Sequence, residues 1–159
     1  VLMLEDGSSI YDSRFILEYL ECMYPERPLL SSEVLERLIA KKLEVLADGV
    51  CDAVVLLFFE RMRGEHASAK WTARQVHKIE GGVRELARLI EKRQFAVGDQ
   101  FGLADIAVGA ALGYLKVRFT DFDWQPLYPS LANYSTNLEQ RPSFQSTQPY
   151  PQTITDKVV

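Results

Sequence analysis

The sequence predicts an α+β chain in which a short β-hairpin and one helix precede an all-α bundle. Three observations carry this reading. The first dozen residues hold two short apolar stretches around Glu5-Asp6-Gly7-Ser8, and Asp-Gly is a strong hairpin signal. From Ser31 onward, apolar residues recur at three- and four-residue spacing in long segments parted by Gly and Pro. The composition, 47% apolar and 25% charged over 159 residues, is that of a globular chain with enough apolar side chain for a core.

The same arithmetic excludes several classes. A net charge of -4 lacks the basic footprint of a nucleic-acid binder. The longest apolar run, Ala53 to Phe59, is far below the ~20 residues needed to span a bilayer, so a membrane protein is not expected. Cys22 and Cys51 are too few for a disulfide framework. Both fall in helical segments among apolar neighbours, and the expectation is two buried free thiols of a cytoplasmic protein. His66 and His77 stand apart with no metal-ligand spacing, so no metal site is expected.

Element by element, Val1 to Leu4 reads as a strand, Glu5 to Ser8 as a turn and Ser9 to Tyr11 as a return strand. Asp12 or Ser13 then caps a helix running to about Met23, with Phe15, Ile16, Tyr19, Leu20 and Met23 as its apolar face. A lone hairpin is marginally stable in water, so this unit reads as the end of a larger α/β layer. Pro25 and Pro28 mark a linker. Ser31 or Ser32 caps a long helix carrying Leu35, Ile39, Leu43, Leu46, Val50, Val54, Leu57 and Met62. Gly49 suggests a close packing point or bend in it, and Gly64 a stop. A second long helix runs from Trp71 to about Lys92 with Val76, Ile79, Val83, Leu86 and Ile90 as its buried stripe. Gly81-Gly82 inside it costs roughly 1 kcal/mol per residue relative to Ala, which points to a closely approaching neighbour. Leu103 to about Phe119 is rich in Ala and Gly, as suits a central helix. After a loop holding Pro126 and Pro129, a short helix follows from Leu131 to about Gln140. Arg141-Pro-Ser-Phe144 then opens a final turn with Pro at a favoured first helical position. The predicted organisation is residues 1–24 as the end of an α/β unit, 25–30 as linker, 31–148 as the all-α domain and 149–159 as a loose tail.

Leu4-Glu-Asp-Gly7 with Tyr11-Asp-Ser13, the stretch Val97 to Ala107, and Arg141-Pro-Ser-Phe144 with Thr147 and Pro149 together resemble the cytosolic glutathione transferases, of the bacterial kind. Leu4-Glu-Asp-Gly7, followed by Tyr11-Asp-Ser13 and a helix, looks like the last hairpin of their thioredoxin-like domain with its acid-Ser pair. Val97-Gly-Asp-Gln-Phe-Gly-Leu-Ala-Asp-Ile-Ala107 looks like the folding motif at the start of their sixth helix. Arg141-Pro-Ser-Phe144 with Thr147 and Pro149 looks like their C-terminal signature. The resemblance implies a partial thioredoxin-like α/β domain followed by the family's helical bundle.

It also implies a site. Asp12 and Ser13 would bind the γ-glutamyl group of glutathione, the Ser and the helix start meeting its carboxylate and the acid its amino group. Read from the residues alone, the same pair is an ordinary helix cap. Phe101, Asp105 and Ile106 take structural roles, Asp105 as the N3 half of a capping box and the other two as a hydrophobic staple. Gly102 stands where the family carries Ser or Thr. Phe58, Arg61 and Tyr114 are candidates for a second-substrate cleft; the residues alone also allow Phe58 and Tyr114 to be core and Arg61 to be solvated. A homodimer is implied, with Asp48 or Asp52 reaching the partner's site. The implied chemistry is conjugation or reduction of an electrophilic small molecule by the glutathione thiolate. The family's thiol-activating Tyr, Ser or Cys belongs to an earlier strand and has no counterpart in this sequence. No catalytic residue is therefore assigned, and this chain alone is expected to do no glutathione chemistry. The alternative is a non-enzymatic binding or assembly module of the same fold.

Overall fold

A computed structural model describes residues 1–26 and 28–151. Strands β1 (Leu2–Met3) and β2 (Ser9–Ile10) pair antiparallel with Leu2 opposite Ile10. The Asp6 carboxylate closes the turn by accepting from the Ser8 amide at 2.9 Å and the Ser8 hydroxyl at 2.6 Å. Gly7, at φ +83°, occupies the left-handed position that this turn requires. Helix α1 (Ser13–Met23) follows, then α2 (Val34–Met62), a 3₁₀ turn at Gly64–His66, α3 (Ala69–Ile90), α4 (Leu103–Arg118), α5 (Pro129–Glu139) and α6 (Pro142–Gln145).

The core lies where α2 meets α3 and α4. Leu43, Val54 and Leu57 of α2 are buried with Ile79, Val83, Leu86 and Ile90 of α3 and Val108, Leu112 and Leu115 of α4. Of the stripe predicted for α3, Ile79, Val83, Leu86 and Ile90 are fully buried and Val76 is half-buried. Gln75 is buried with it, which spacing of apolar residues could not signal.

Several expectations are corrected. Neither Ser31 nor Ser32 is the cap of α2: the N-cap is Glu33, and the Ser31 hydroxyl instead accepts from the Glu33 amide at 3.1 Å. Leu35, Ile39 and Met62 of the expected stripe are exposed, while Ala40, Ala47 and Ala53 take buried places, because the inner face of so long a helix is set by its neighbours. The α3 helix starts two residues before Trp71, where the Ser68 hydroxyl accepts from the Trp71 amide. Pro129 is the first residue of α5 and not a loop residue. Of the tail read as loose, residues 152–159 lie outside the described residues, and Pro149 packs beside Gly113.

The glycines divide sharply. A Cβ on Gly82 would stand 2.4 Å from Cγ2 of Val50, so the neighbour expected at the Gly81-Gly82 pair is α2. Gly49, by contrast, has no neighbouring element within 4 Å of a Cβ position, so it is not a packing point within the chain. Gly82→Ala should therefore cost about 1–3 kcal/mol through overpacking. Gly49→Ala should stabilise by up to ~1 kcal/mol through helix propensity. Urea unfolding of the two variants measures both, and equal effects of the same sign would contradict the packing described.

Candidate functional site

The start of α1 gathers the polar groups. Asp12 is its N-cap, and its carboxylate accepts from the Arg14 amide at 3.1 Å. Asp12 thereby takes the capping role, and Ser13, the first helical residue, is exposed beside the positive end of the helix. Among the described residues no hydrogen bond engages the Ser13 hydroxyl. A hydroxyl and free N–H groups at this end suit a carboxylate, and an adjacent carboxylate suits an ammonium.

The face by which α1 meets the bundle is not its apolar face. Phe15, Leu20 and Met23 are exposed, and no residue of α1 is fully buried. The inward face is Arg14, Leu17, Glu18 and Glu21. Arg14 Nε lies 2.6 Å from Asp48 Oδ2, and Glu18 pairs with Arg37 and Lys41 at 3.0 Å each. The Lys41 ammonium holds the Glu18 carboxyl below the usual carboxylate range. Glu21 accepts from the Leu29 amide at 2.9 Å and the Leu30 amide at 3.0 Å, so the linker is fastened to the end of α1. Asp48 is thus engaged within the same chain, while Asp52 is exposed.

Leu29 also explains Gly102. The Leu29 carbonyl accepts from the Leu103 amide at 2.8 Å and stands 2.6 Å from a Cβ position at Gly102. Any side chain at Gly102 would collide with it, and the carbonyl satisfies the α4 terminus in place of a capping hydroxyl. Asp105, 1% exposed, accepts from the Gly102 amide at 2.9 Å, the Ala96 amide at 2.9 Å and the Tyr134 hydroxyl at 2.6 Å. Sequence reasoning reached the first of these bonds. The other two donors come from a loop and from α5, which no local pattern relates to Asp105. Burial, and then the Asp105 charge, push the Tyr134 phenol well above its ordinary value.

Phe101 and Ile106 both border an apolar cavity of about 510 Å³ between α4 and the C-terminal segment. The Phe101 ring stacks edge-on against Phe144, with Arg141 over it at 3.6 Å. A second cavity, about 530 Å³, lies between the end of α1, the linker and the loop before α4. Neither cavity includes Asp12, Ser13, Phe58, Arg61 or Tyr114. Phe58 lies under the Arg118 guanidinium at 4.3 Å, Arg61 pairs with Asp121 at 2.9 Å, and Tyr114 packs half-buried against the core.

The cysteine expectation is corrected for Cys22, which is exposed near the end of α1, on a helix that buries none of its residues fully. Cys51 is half-buried, and burial first, then Asp48 and Asp52, pushes its thiol up to about 11. It is therefore a thiol and not a thiolate at neutral pH.

Residues 69–137 match the family model for the glutathione S-transferase C-terminal domain. The GST-like protein YibF of Escherichia coli is 34% identical over 150 residues, covering 94% of this chain and 74% of that protein. The chain belongs to the glutathione transferase family. A glutathione S-transferase from Methylobacterium radiotolerans, solved with glutathione sulfonate, superposes with TM-score 0.95 at 53% identity, covering 99% of this chain and 74% of that one. Another from Methylobacillus flagellatus, with glutathione bound, gives 0.87 at 40% identity over 92% of this chain and 73% of that one. Maleylacetoacetate isomerase of Dictyostelium discoideum is 32% identical over 145 residues, and the chain spans only 64% of its length. The hairpin with α1 is thus part of a thioredoxin-like unit, and α2–α6 form the transferase helical domain.

Asp105→Ala should cost about 3–5 kcal/mol, since it strands two amide donors and a buried phenol, whereas Tyr134→Phe should cost about 1–2 kcal/mol. Denaturant midpoints at constant m separate the two.

Proposed function

We propose that this transferase binds glutathione at the start of α1 and directs its thiolate to an electrophilic small molecule. In this reading Ser13 and the free amides of α1 hold the γ-glutamyl carboxylate, and Asp12 meets the amino group. The observation that carries it is the division of labour at the helix start. Asp12 satisfies the cap, so the exposed Ser13 hydroxyl is not needed for the fold. Glutathione or its sulfonate in two solved relatives supports the ligand class. Residues 1–24 would then form one edge of the glutathione site, and residues 31–148 the helical domain against which the second substrate lies. The reaction in this reading is conjugation or reduction of the electrophile by the glutathione thiolate.

We further propose a homodimer built on α2. Val34, Leu38, Val45, Leu56 and Phe59 are exposed along one side of that helix, and Gly49 opens onto the same side. An apolar stripe running the length of a 29-residue helix is what a second copy of the chain would cover.

In the intact protein Ser13→Ala should weaken glutathione binding about tenfold or more by calorimetry, the loss of a hydroxyl bond to a charged group. Unchanged affinity would remove Ser13 from the site. Sedimentation velocity should show a dimer for the natural sequence and a shift to monomer for Val45→Glu. A monomer for both would remove the α2 interface.

A further inference from the structure

We propose that the outer face of α3 is a docking surface for an acidic helical segment of another protein. Helix α3 carries five Lys and Arg against two Glu, while the rest of the chain carries thirteen against twenty. A net positive helix thus stands on a net negative molecule. Opposite the buried Gln75, Ile79, Val83, Leu86 and Ile90 runs a line at alternating four- and three-residue steps: Lys70, Arg74, His77, Gly81, Arg84 and Arg88. All but Gly81 are exposed, and none is acidic. Arg88 is forked on Glu85 at 2.8 Å, whereas among the described residues Lys70, Arg74 and Arg84 form no ion pair. The line shares no residue with the apolar stripe of α2.

Gly81 sits in the middle of this line, and packing within the chain does not call for it. Its Cβ position meets only the Arg84 guanidinium, at 3.8 Å, whereas Gly82 is held against Val50. A glycine there costs helix propensity and makes no contact inside the chain. It lowers the surface between His77 and Arg84, which lets a second backbone approach α3 closely. Beyond that notch, Arg84 and Arg88 border a cleft of about 330 Å³ at the start of α5, lined also by Glu91, Tyr128 and Ser130. The shape of the line selects the partner. From Lys70 to Arg88 it is about 27 Å long and one residue wide. Glu80 lies on one flank and Glu85 on the other. A bilayer or a duplex presents its charge on a broad front, which would meet these carboxylates and the acidic remainder of the chain. A narrow acidic rod meets the cations alone. Same-face residues of a strand recur about every 6.6 Å and fall out of step with the line. Those of a helix recur about every 5.3 Å, as the line itself does. Charge and repeat both fit a helix with Glu or Asp at three- and four-residue spacing.

The test uses the intact protein and two labelled alanine-based helical peptides of about six turns, read by fluorescence anisotropy. One carries Glu along a single face at three- and four-residue spacing. The other has the same composition with Glu spread round the helix. The single-face peptide should bind about tenfold more tightly, and salt that shortens the Debye length from about 10 Å to about 3 Å should weaken it roughly tenfold. Arg74→Glu combined with Arg84→Glu should weaken binding about tenfold or more, and Arg74→Lys combined with Arg84→Lys should keep most of it. Gly81→Leu, which alters no charge, should weaken binding about fivefold by blocking the approach. Equal binding of the two peptides to the natural sequence overturns the proposal, as does full affinity in the double Glu variant. Full affinity in Gly81→Leu overturns the close helical docking, and the proposal with it. Tighter binding of phosphatidylserine vesicles, or of a short DNA duplex, than of the single-face peptide at the same salt assigns the line to that surface and overturns the proposal too.

Discussion

The carboxylate of Asp105 is the contact on which the other connections depend. It sits at the start of the central helix and gathers the Ala96 amide, the Gly102 amide and the Tyr134 hydroxyl. A buried carboxylate is costly unless its oxygens are filled, and three donors fill them. Two of those donors fix the loop before α4, and that loop places Gly102 and Leu103 against the linker. Leu29 then works in both directions, its carbonyl taking the Leu103 amide and its amide giving to Glu21. The sequence of contacts from Asp105 to Leu29 to Glu21 ends on α1, the helix whose first turn carries Ser13. Gly102 is necessary to that sequence, because a side chain there would displace the Leu29 carbonyl.

Charge does for α1 what apolar contact does for the other long helices. Partly exposed ion pairs each contribute little to stability, on the order of 0–1 kcal/mol. Their value here is directional. The ion pairs of Arg14 and Glu18, with the Glu21 bonds to the Leu29 and Leu30 amides, all act on one face of a helix that buries no residue fully. Lys41 extends the arrangement by joining Glu18 of α1 to the mostly buried Glu44 of α2 at 3.2 Å. The outward apolar residues, Phe15, Leu20 and Met23, are left to face away from α2.

Most of the fold was legible because period and punctuation agree. The α3 stripe, the Gly64 stop, the Gly81-Gly82 approach and the small residues of α4 each have a local cause that shows in the residues. The hidden parts have non-local causes. The face by which α1 meets α2 gave no signal, because its partners are charges on α2 and spacing reports apolar residues only. Cys22 was placed inside for the same reason. Gly49 and Gly82 are equivalent as letters in a helix, and only the position of Val50 separates them. At the candidate site, Asp12 and Ser13 were legible as a helix start. That Asp12 takes the cap and leaves Ser13 free is a matter of geometry. Arg14 carried no signal, since its partner Asp48 lies 34 residues on.

The close approach in the core and the Arg14–Asp48 ion pair meet on the same helix. Val50 lies against Gly82, which sets how deeply α2 sits on α3. Asp48 is two residues earlier, on the edge of α2 that faces α1. Because α2 is one uninterrupted helix of 29 residues, the place of Asp48 follows from the depth at which Val50 docks. A larger residue at Gly82 would lift this part of α2 and shift Asp48 relative to Arg14. The tight helix pair and the site geometry are therefore two consequences of one packing distance. The glycine that costs α3 helix propensity returns that cost as the placement of α1.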